Sequence, residues 1–160
     1  MKIIVFSDSH GELDGMRQVI DREKPDYVFH LGDHDRDAER ISDEYFSLPV
    51  AMVRGNCDYM TDTPAVRILS LGGVRFFLCH GHTYGVKGSL LRVTYAAREQ
   101  RADVLLFGHT HESYYECLEG DDGRKLHILN PGACGYSYRP SYGRIVLEPG
   151  RPITIAYYEI

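Results

Sequence analysis

The chain of 160 residues is 43% hydrophobic and 26% charged, with 16 glycines and 7 prolines, a near-average globular composition that excludes low-complexity, collagen-like and coiled-coil chains. Its length favours one domain, residues 1–160, with a core burying about 68–70% of the unfolded surface. A formal charge of −5 without any basic block disfavours an extended nucleic-acid-binding face, and no apolar run approaches the roughly 20 residues of a membrane span.

Lys2 to Phe6 is a β-branched apolar run that stops at Ser7-Asp8-Ser9-His10-Gly11, the pattern of a buried strand feeding a turn. Leu13, Met16, Val19 and Ile20 recur at helical spacing, with Asp14 as N-cap and Pro25 as the stop. A second strand, Tyr27 to Leu31, runs into Gly32-Asp33, and a charged surface helix spans Arg36 to Phe46. The third strand, Pro49 to Val53, ends in Arg54-Gly55-Asn56-Cys57-Asp58. This β-α-β-α-β order predicts parallel strands joined by helical crossovers. Val66 to Leu71 and Val74 to Cys79 form a hairpin around Gly72-Gly73, and its second strand leads into His80-Gly81-His82. Leu90 to Ala97 belongs to a third helix, and Val104 to Phe107 is a strand ending in Gly108-His109-Thr110-His111. Ser113 to Leu118 turns at Asp121-Asp122-Gly123 into Leu126 to Leu129, followed by an Asn130-Pro131-Gly132 turn. Arg144 to Leu147 then pairs with Ile153 to Tyr157 across Pro149-Gly150. The expected fold is α/β, two sheets packed face to face with helices outside.

Five strand ends finish on metal-competent side chains: Asp8 with His10, Asp33, Asn56, His80, and His109 with His111. Successive blocks lie 23 to 29 residues apart, about one strand and crossover each, so the ends can converge on one rim. The two-residue offset in Asp8-x-His10 and His109-x-His111 places each pair on one side of an extended segment, able to hold metal jointly. Glycines at 11, 32, 55, 81 and 108 permit tight turns and close backbone approach. Taken singly, each donor reads as a cap or turn residue; the ordered set points to metal. Seven carboxylate, imidazole and amide donors are too many for one tetrahedral site and suit ions such as Mn, Fe, Co, Ni or Zn.

In that order, Asp8-x-His10, Gly32-Asp33, Gly55-Asn56, His80 and Gly108-His109-x-His111 resemble the motif series of the calcineurin-like metallophosphoesterase superfamily. With Ser7-Asp8-Ser9-His10, Arg54-Gly55-Asn56-Cys57-Asp58 and Asn130-Pro131-Gly132, the chain is similar to the small YfcE-type phosphodiesterases over residues 1 to 135. The resemblance implies a four-layer α-β-β-α sandwich of two mixed sheets flanked by helices. It also implies hydrolysis of phosphodiester bonds by a hydroxide bridging two divalent metals, with manganese the leading ion. Carried over residue by residue, one metal sits on Asp8, His10, Asp33 and His111, and the other on Asp33, Asn56, His80 and His109. Asp33 is then the bridge, and Asp33, Asn56 and His80 form the catalytic set. Larger phosphatases of the superfamily carry histidine after Gly-Asn, where this chain has Cys57, and Ala133 stands where YfcE-type relatives usually have Ser.

The expected partner is a small phosphodiester, with no extended nucleic-acid surface and no membrane. The β-rich hairpins and 12 tyrosines also fit a homo-oligomer. Cysteines 57, 79, 117 and 134 form no C-x-x-C pair, and no secretory signal is apparent, so free thiols and a cytoplasmic location are expected. Two other functions share these residues: a phosphomonoesterase or nucleotidase with the same centre, and a non-catalytic scaffold like the retromer subunit built on this fold. His30, His34 and His127 match no block and read as solvated or locally bonded, whereas His82 stands two residues from His80. Asp35, Asp37 and Asp58 read as loop or helix-start charges, Asp58 also as a residue that orients its neighbours. Cys79 reads as core, and Tyr136, Tyr138 and Tyr142 first as packing.

Overall fold

A computed structural model describes residues 1–160. Strands β1 (Lys2–Phe6), β2 (Tyr27–His30) and β3 (Val50–Met52) alternate with helices α1 (Asp14–Glu23) and α2 (Asp35–Glu44). The hairpin β4 (Val66–Leu71) and β5 (Val74–Cys79) follows, then a short 3₁₀ turn His82–Tyr84, helix α3 (Leu91–Glu99) and β6 (Val104–Leu106). Four strands complete the chain: β7 (Ser113–Glu119), β8 (Lys125–Pro131), β9 (Ser141–Val146) and β10 (Thr154–Glu159). They form two five-stranded sheets, ordered β10-β9-β1-β2-β3 and β4-β5-β6-β8-β7. Both are mixed: β1, β2 and β3 run parallel, as do β5, β6 and β8, while the remaining pairings are antiparallel.

Three apolar clusters make the four expected layers. Ile3, Val5, Phe29 and Leu31 of the first sheet meet Phe76, Leu78, Val104 and Leu106 of the second, with the Phe29 and Phe76 rings 5.3 Å apart. Alternation along each strand sends the other set outward: Ile4, Phe6 and Val28 pack under Met16, Val19, Ile20 and Ile41 of α1 and α2. Phe77, Cys79, Leu105 and Ile128 pack under Val93 and Ala97 of α3. Each fully buried aliphatic or aromatic side chain contributes roughly 1.5–3 kcal/mol.

Element boundaries differ from the sequence expectation at definable places. Leu13, not Asp14, occupies the N-cap of α1 and offers no capping side chain; Asp14 is the first helical residue and pairs with Arg17 at 2.8 Å. The second helix begins one residue earlier and ends two earlier than the charge pattern suggests. Asn130 and Pro131 are not a turn but the end of β8, where they pair with Tyr114 and Ser113. Pro131 is tolerated there because it lies beyond Leu129, the last residue of β8 paired to β6. Strand β9 begins at Ser141, three residues before the apolar run that revealed it.

Candidate metal centre

The parallel strands deliver their carboxyl ends to one rim, and backbone bonds tie the loops that leave it. The amide of Asp8 donates to the carbonyl of Gly32 and that of Gly108 to His80, each at 3.0 Å. Glycine permits these approaches: a Cβ on Gly55 would overlap Asp33, and one on Gly108 would overlap the Ser7 hydroxyl. Of the ten non-glycine residues with left-handed backbone, five are predicted donors, Asp8, His10, Asp33, His109 and His111; His34, which matches no motif block, is another of the ten. Such conformations persist where the surroundings enforce them, and they cluster at functional sites.

These angles correct one expectation. Neither two-residue pair lies on an extended segment: Asp8 and His10 still share one donor group, but His109 and His111 part. His111 turns toward Asp8, with Nε2 3.1 Å from Oδ1, and its ring lies 5.3 Å from that of His10. The ring of His109 lies instead 5.0 Å from His80. Asp8, His10, Asp33 and His111 each offer an atom within 4.8 Å of the others. Around His80, Nε2 lies 3.1 Å from Asn56 Oδ1, 3.4 Å from Asp33 Oδ1 and 3.9 Å from Asp8 Oδ1. The structure therefore brings all seven predicted donors to this rim in two adjoining groups.

Hydrogen bonds select which atoms remain free. Asp8 Oδ2 accepts from the Ser7 hydroxyl at 2.5 Å and the His109 amide at 3.1 Å, leaving Oδ1 buried and facing only His111 Nε2, at 3.1 Å. His10 Nε2 is buried and unpartnered. The His80 Nδ1–H donates to the Leu31 carbonyl at 2.8 Å, which presents Nε2 inward. Buried lone pairs without donors carry a desolvation cost that a bound cation removes, so the residues fit a metal.

The charges agree with that geometry. Burial pushes the Asp8 carboxyl up, but His111, His80 and Ser7 outweigh it and hold it below the usual range. Asp33 is also lowered: His80 and the Cys57 amide, which donates to Oδ1 at 2.8 Å, overcome its burial. The imidazole of His80 is raised despite burial because Asp33 and Asp8 face it, and contact with Asp8 raises His111. Burial, with His80 and Lys87 nearby, brings His109 down to about 4. Burial and Asp33 push the Cys57 thiol up to about 11.

Several supporting residues were only partly visible in the sequence. Asp58 accepts four backbone N–H bonds, from Asp33, His34, Asp35 and Gly55 at 2.7–3.0 Å, and clamps the loop after β2 to the loop after β3. Asp37 is buried and accepts from Gly11 N–H at 2.7 Å and Ser9 Oγ–H at 2.8 Å. His30, fully buried, accepts the Gly32 amide at Nδ1, which leaves Nε2–H to donate to Ser9 Oγ at 3.1 Å. Asn130 donates to the Gly108 carbonyl at 3.1 Å and Thr110 Oγ1 at 2.9 Å, bracing the loop that carries His109 and His111. His82 sits beside the second group, 5.3 Å from the His80 ring, with a buried unpartnered Nδ1. His127 is elsewhere, stacked on Tyr115 and bonded to its hydroxyl at 2.9 Å. All four cysteines are free. No helix is long and apolar enough to cross a membrane.

A family model described as the calcineurin-like phosphoesterase superfamily domain matches residues 1–149. Probable metallophosphoesterase YsnB of Bacillus subtilis is 36% identical over 135 residues, 83% of this chain and 75% of its own. A phosphodiesterase of Methanocaldococcus jannaschii is 29% identical over 177 residues, 92% of this chain and 100% of its own. Among solved structures, a Streptococcus pneumoniae protein described as a predicted phosphoesterase superposes with a TM-score of 0.75 at 26% identity, covering 99% of this chain and 97% of that one. Vps29 of Entamoeba histolytica, complexed with Zn²⁺, has a TM-score of 0.72 at 20% identity over 99% of each chain, a likeness of fold alone.

Proposed function

The chain belongs to the calcineurin-like phosphoesterase superfamily, and on that premise we propose that it hydrolyses small phosphodiesters in the cytoplasm with two divalent ions, manganese foremost. One ion is held by Asp8, His10, Asp33 and His111, the other by Asp33, Asn56, His80 and His109. The observation that carries this reading is the Asp33 carboxylate. Its Oδ1 lies 3.4 Å from His80 Nε2 and its Oδ2 3.9 Å from His10 Nε2, so one side chain offers an oxygen to each donor group. Bound there, a pair of divalent ions supplies the Lewis acidity that activates water and neutralises charge on the phosphoryl oxygens.

The protein's own part is orientation. Ser7 and the His109 amide hold Asp8 Oδ2 so that Oδ1 faces the centre, and Leu31 fixes the tautomer and direction of His80. Cys57 stands beside Asp33 and Asn56 as a thiol rather than an imidazole. A thiol is a poor general acid for an alkoxide, which favours diesters whose leaving groups need little protonation. The relative named a phosphodiesterase supports the same choice. The complete donor set argues for catalysis over a scaffold role.

The test is hydrolysis of bis(p-nitrophenyl) phosphate and p-nitrophenyl phosphate by chelator-treated protein, with and without added Mn²⁺. Turnover that requires Mn²⁺ and is faster on the diester is expected. Full activity without added metal contradicts the metal-dependent reading, and faster monoester turnover moves the assignment to a monoesterase.

A further inference from the structure

The cleft beside Asp33 and Asn56 carries recognition groups that hydrolysis itself does not use. It encloses about 380 Å³ and is walled by His34, Asp35, Arg36, Cys57, Asp58 and Tyr59. A volume of this order matches small-molecule sites. Its inner wall is continuous with the rim: the His34 ring lies 5.3 Å from that of His10, and the Cys57 amide is bonded to Asp33.

Both carboxylates of this cleft are engaged internally. Asp58 accepts its four amides, and the buried Asp35 accepts the Thr61 hydroxyl at 2.6 Å. Arg36, by contrast, is exposed and enters no ion pair, and the Tyr59 ring is 78% exposed. The groups free to meet a ligand are a guanidinium and an aromatic face, while the acids are turned away and the His34 imidazole faces Asp37 at 3.8 Å. A second cleft on the far side of His111, about 420 Å³, lacks this combination, because its Arg139 already faces Glu159 at 3.8 Å.

We propose that the His34–Tyr59 cleft binds a nucleobase-bearing arm of the diester, with the base stacked on Tyr59 and Arg36 engaging the base or its adjoining oxygens. The substrate class is then a nucleoside phosphodiester. This rests on the diester-cleaving reading of the rim.

Two Mn²⁺-supplied assays separate the arms of the substrate: thymidine 5′-(p-nitrophenyl) phosphate and methyl p-nitrophenyl phosphate, which release the same leaving group. Tyr59→Ala is expected to lower kcat/KM about tenfold on the thymidine ester and less than about twofold on the methyl ester. Tyr59→Phe retains the wild-type rate, and Arg36→Ala loses several-fold on the thymidine ester alone. Equal losses on both esters, or none on either, overturn the proposal. Saturation-transfer NMR with adenosine and Zn²⁺-supplied protein gives a readout apart from turnover. Base protons receive saturation from wild type and Tyr59→Phe but not from Tyr59→Ala; no transfer from wild type overturns the proposal. If wild type cleaves neither ester, the diester reading fails, and the adenosine experiment still decides the cleft.

Discussion

The donor group around His10 and the group around His80 meet the same problem, closely packed polar atoms away from water, in different ways. Around His10, four donors converge within 4.8 Å, Asp8 Oδ1 meets only the His111 ring nitrogen at 3.1 Å, and His10 Nε2 is buried without a hydrogen bond. Around His80, Nδ1–H donates to Leu31, and Nε2 faces the Asn56 carbonyl oxygen at 3.1 Å and Asp33 Oδ1 at 3.4 Å, acceptors to which it donates when the ring is doubly protonated. The first arrangement leaves the His10 nitrogen with no partner, whereas in the second a proton on His80 Nε2 meets part of the demand and must leave before a metal binds. Unsatisfied buried lone pairs are costly, so the difference predicts tighter metal binding at the His10 group. Asp33 is the element common to both, and substitutions can break or sharpen the contrast.

The largest effect is expected at Asp33. Asp33→Ala removes an oxygen from each group and lowers kcat/KM on a diester by on the order of a thousandfold, with metal content falling below one ion per chain. Asp33→Asn keeps an acceptor for the Cys57 amide, so a similar loss there assigns the effect to the charge rather than to loop collapse. Asn56→Ala touches only the His80 group: a loss of about a hundredfold is expected, with one ion retained by elemental analysis. Equal metal loss in Asp33→Ala and Asn56→Ala breaks the comparison. Asp58→Ala leaves both donor sets intact but strips four amides of their acceptor. A stability loss of about 3 kcal/mol, seen as a lower denaturant midpoint at unchanged slope, is expected with a metal affinity weakened about tenfold. Cys57→Ser is the smallest change, within about threefold in kcat/KM, because a hydroxyl replaces another weak acid and the bond from Cys57 to Asp33 comes from the backbone.

How much of this was legible in the sequence follows from the range of each interaction. The strand ends were readable because apolar runs such as Ile3 to Phe6 and Val104 to Phe107 stop abruptly at Asp, His and Gly, a purely local pattern. The four layers follow from alternation within those runs and from the β-α-β order. The left-handed backbone at Asp8, His10, His109 and His111 was not readable, since no glycine marks those positions and loop packing imposes the angles. Asp37 looked like an ordinary helix-start charge, and the reach of Asp58 as an orienting residue was not readable, because the groups they hold lie up to 28 residues away. Asn130 appeared in a recognisable block, yet its task, bracing the His109 loop, depends on Gly108 brought alongside by β6. Asp14 misled for a complementary reason: an acidic residue before an apolar period suits an N-cap, but Leu13 packs into the core and takes that place.

The central claim is that Asp33 joins two metal positions. Anomalous scattering from Mn²⁺-loaded crystals tests it most directly. The account predicts two peaks per chain about 3.5–4 Å apart, with one Asp33 oxygen against each, the Asp8, His10 and His111 side chains around the first and Asn56, His80 and His109 around the second. A single peak, or two peaks with Asp33 bound to only one, would contradict it.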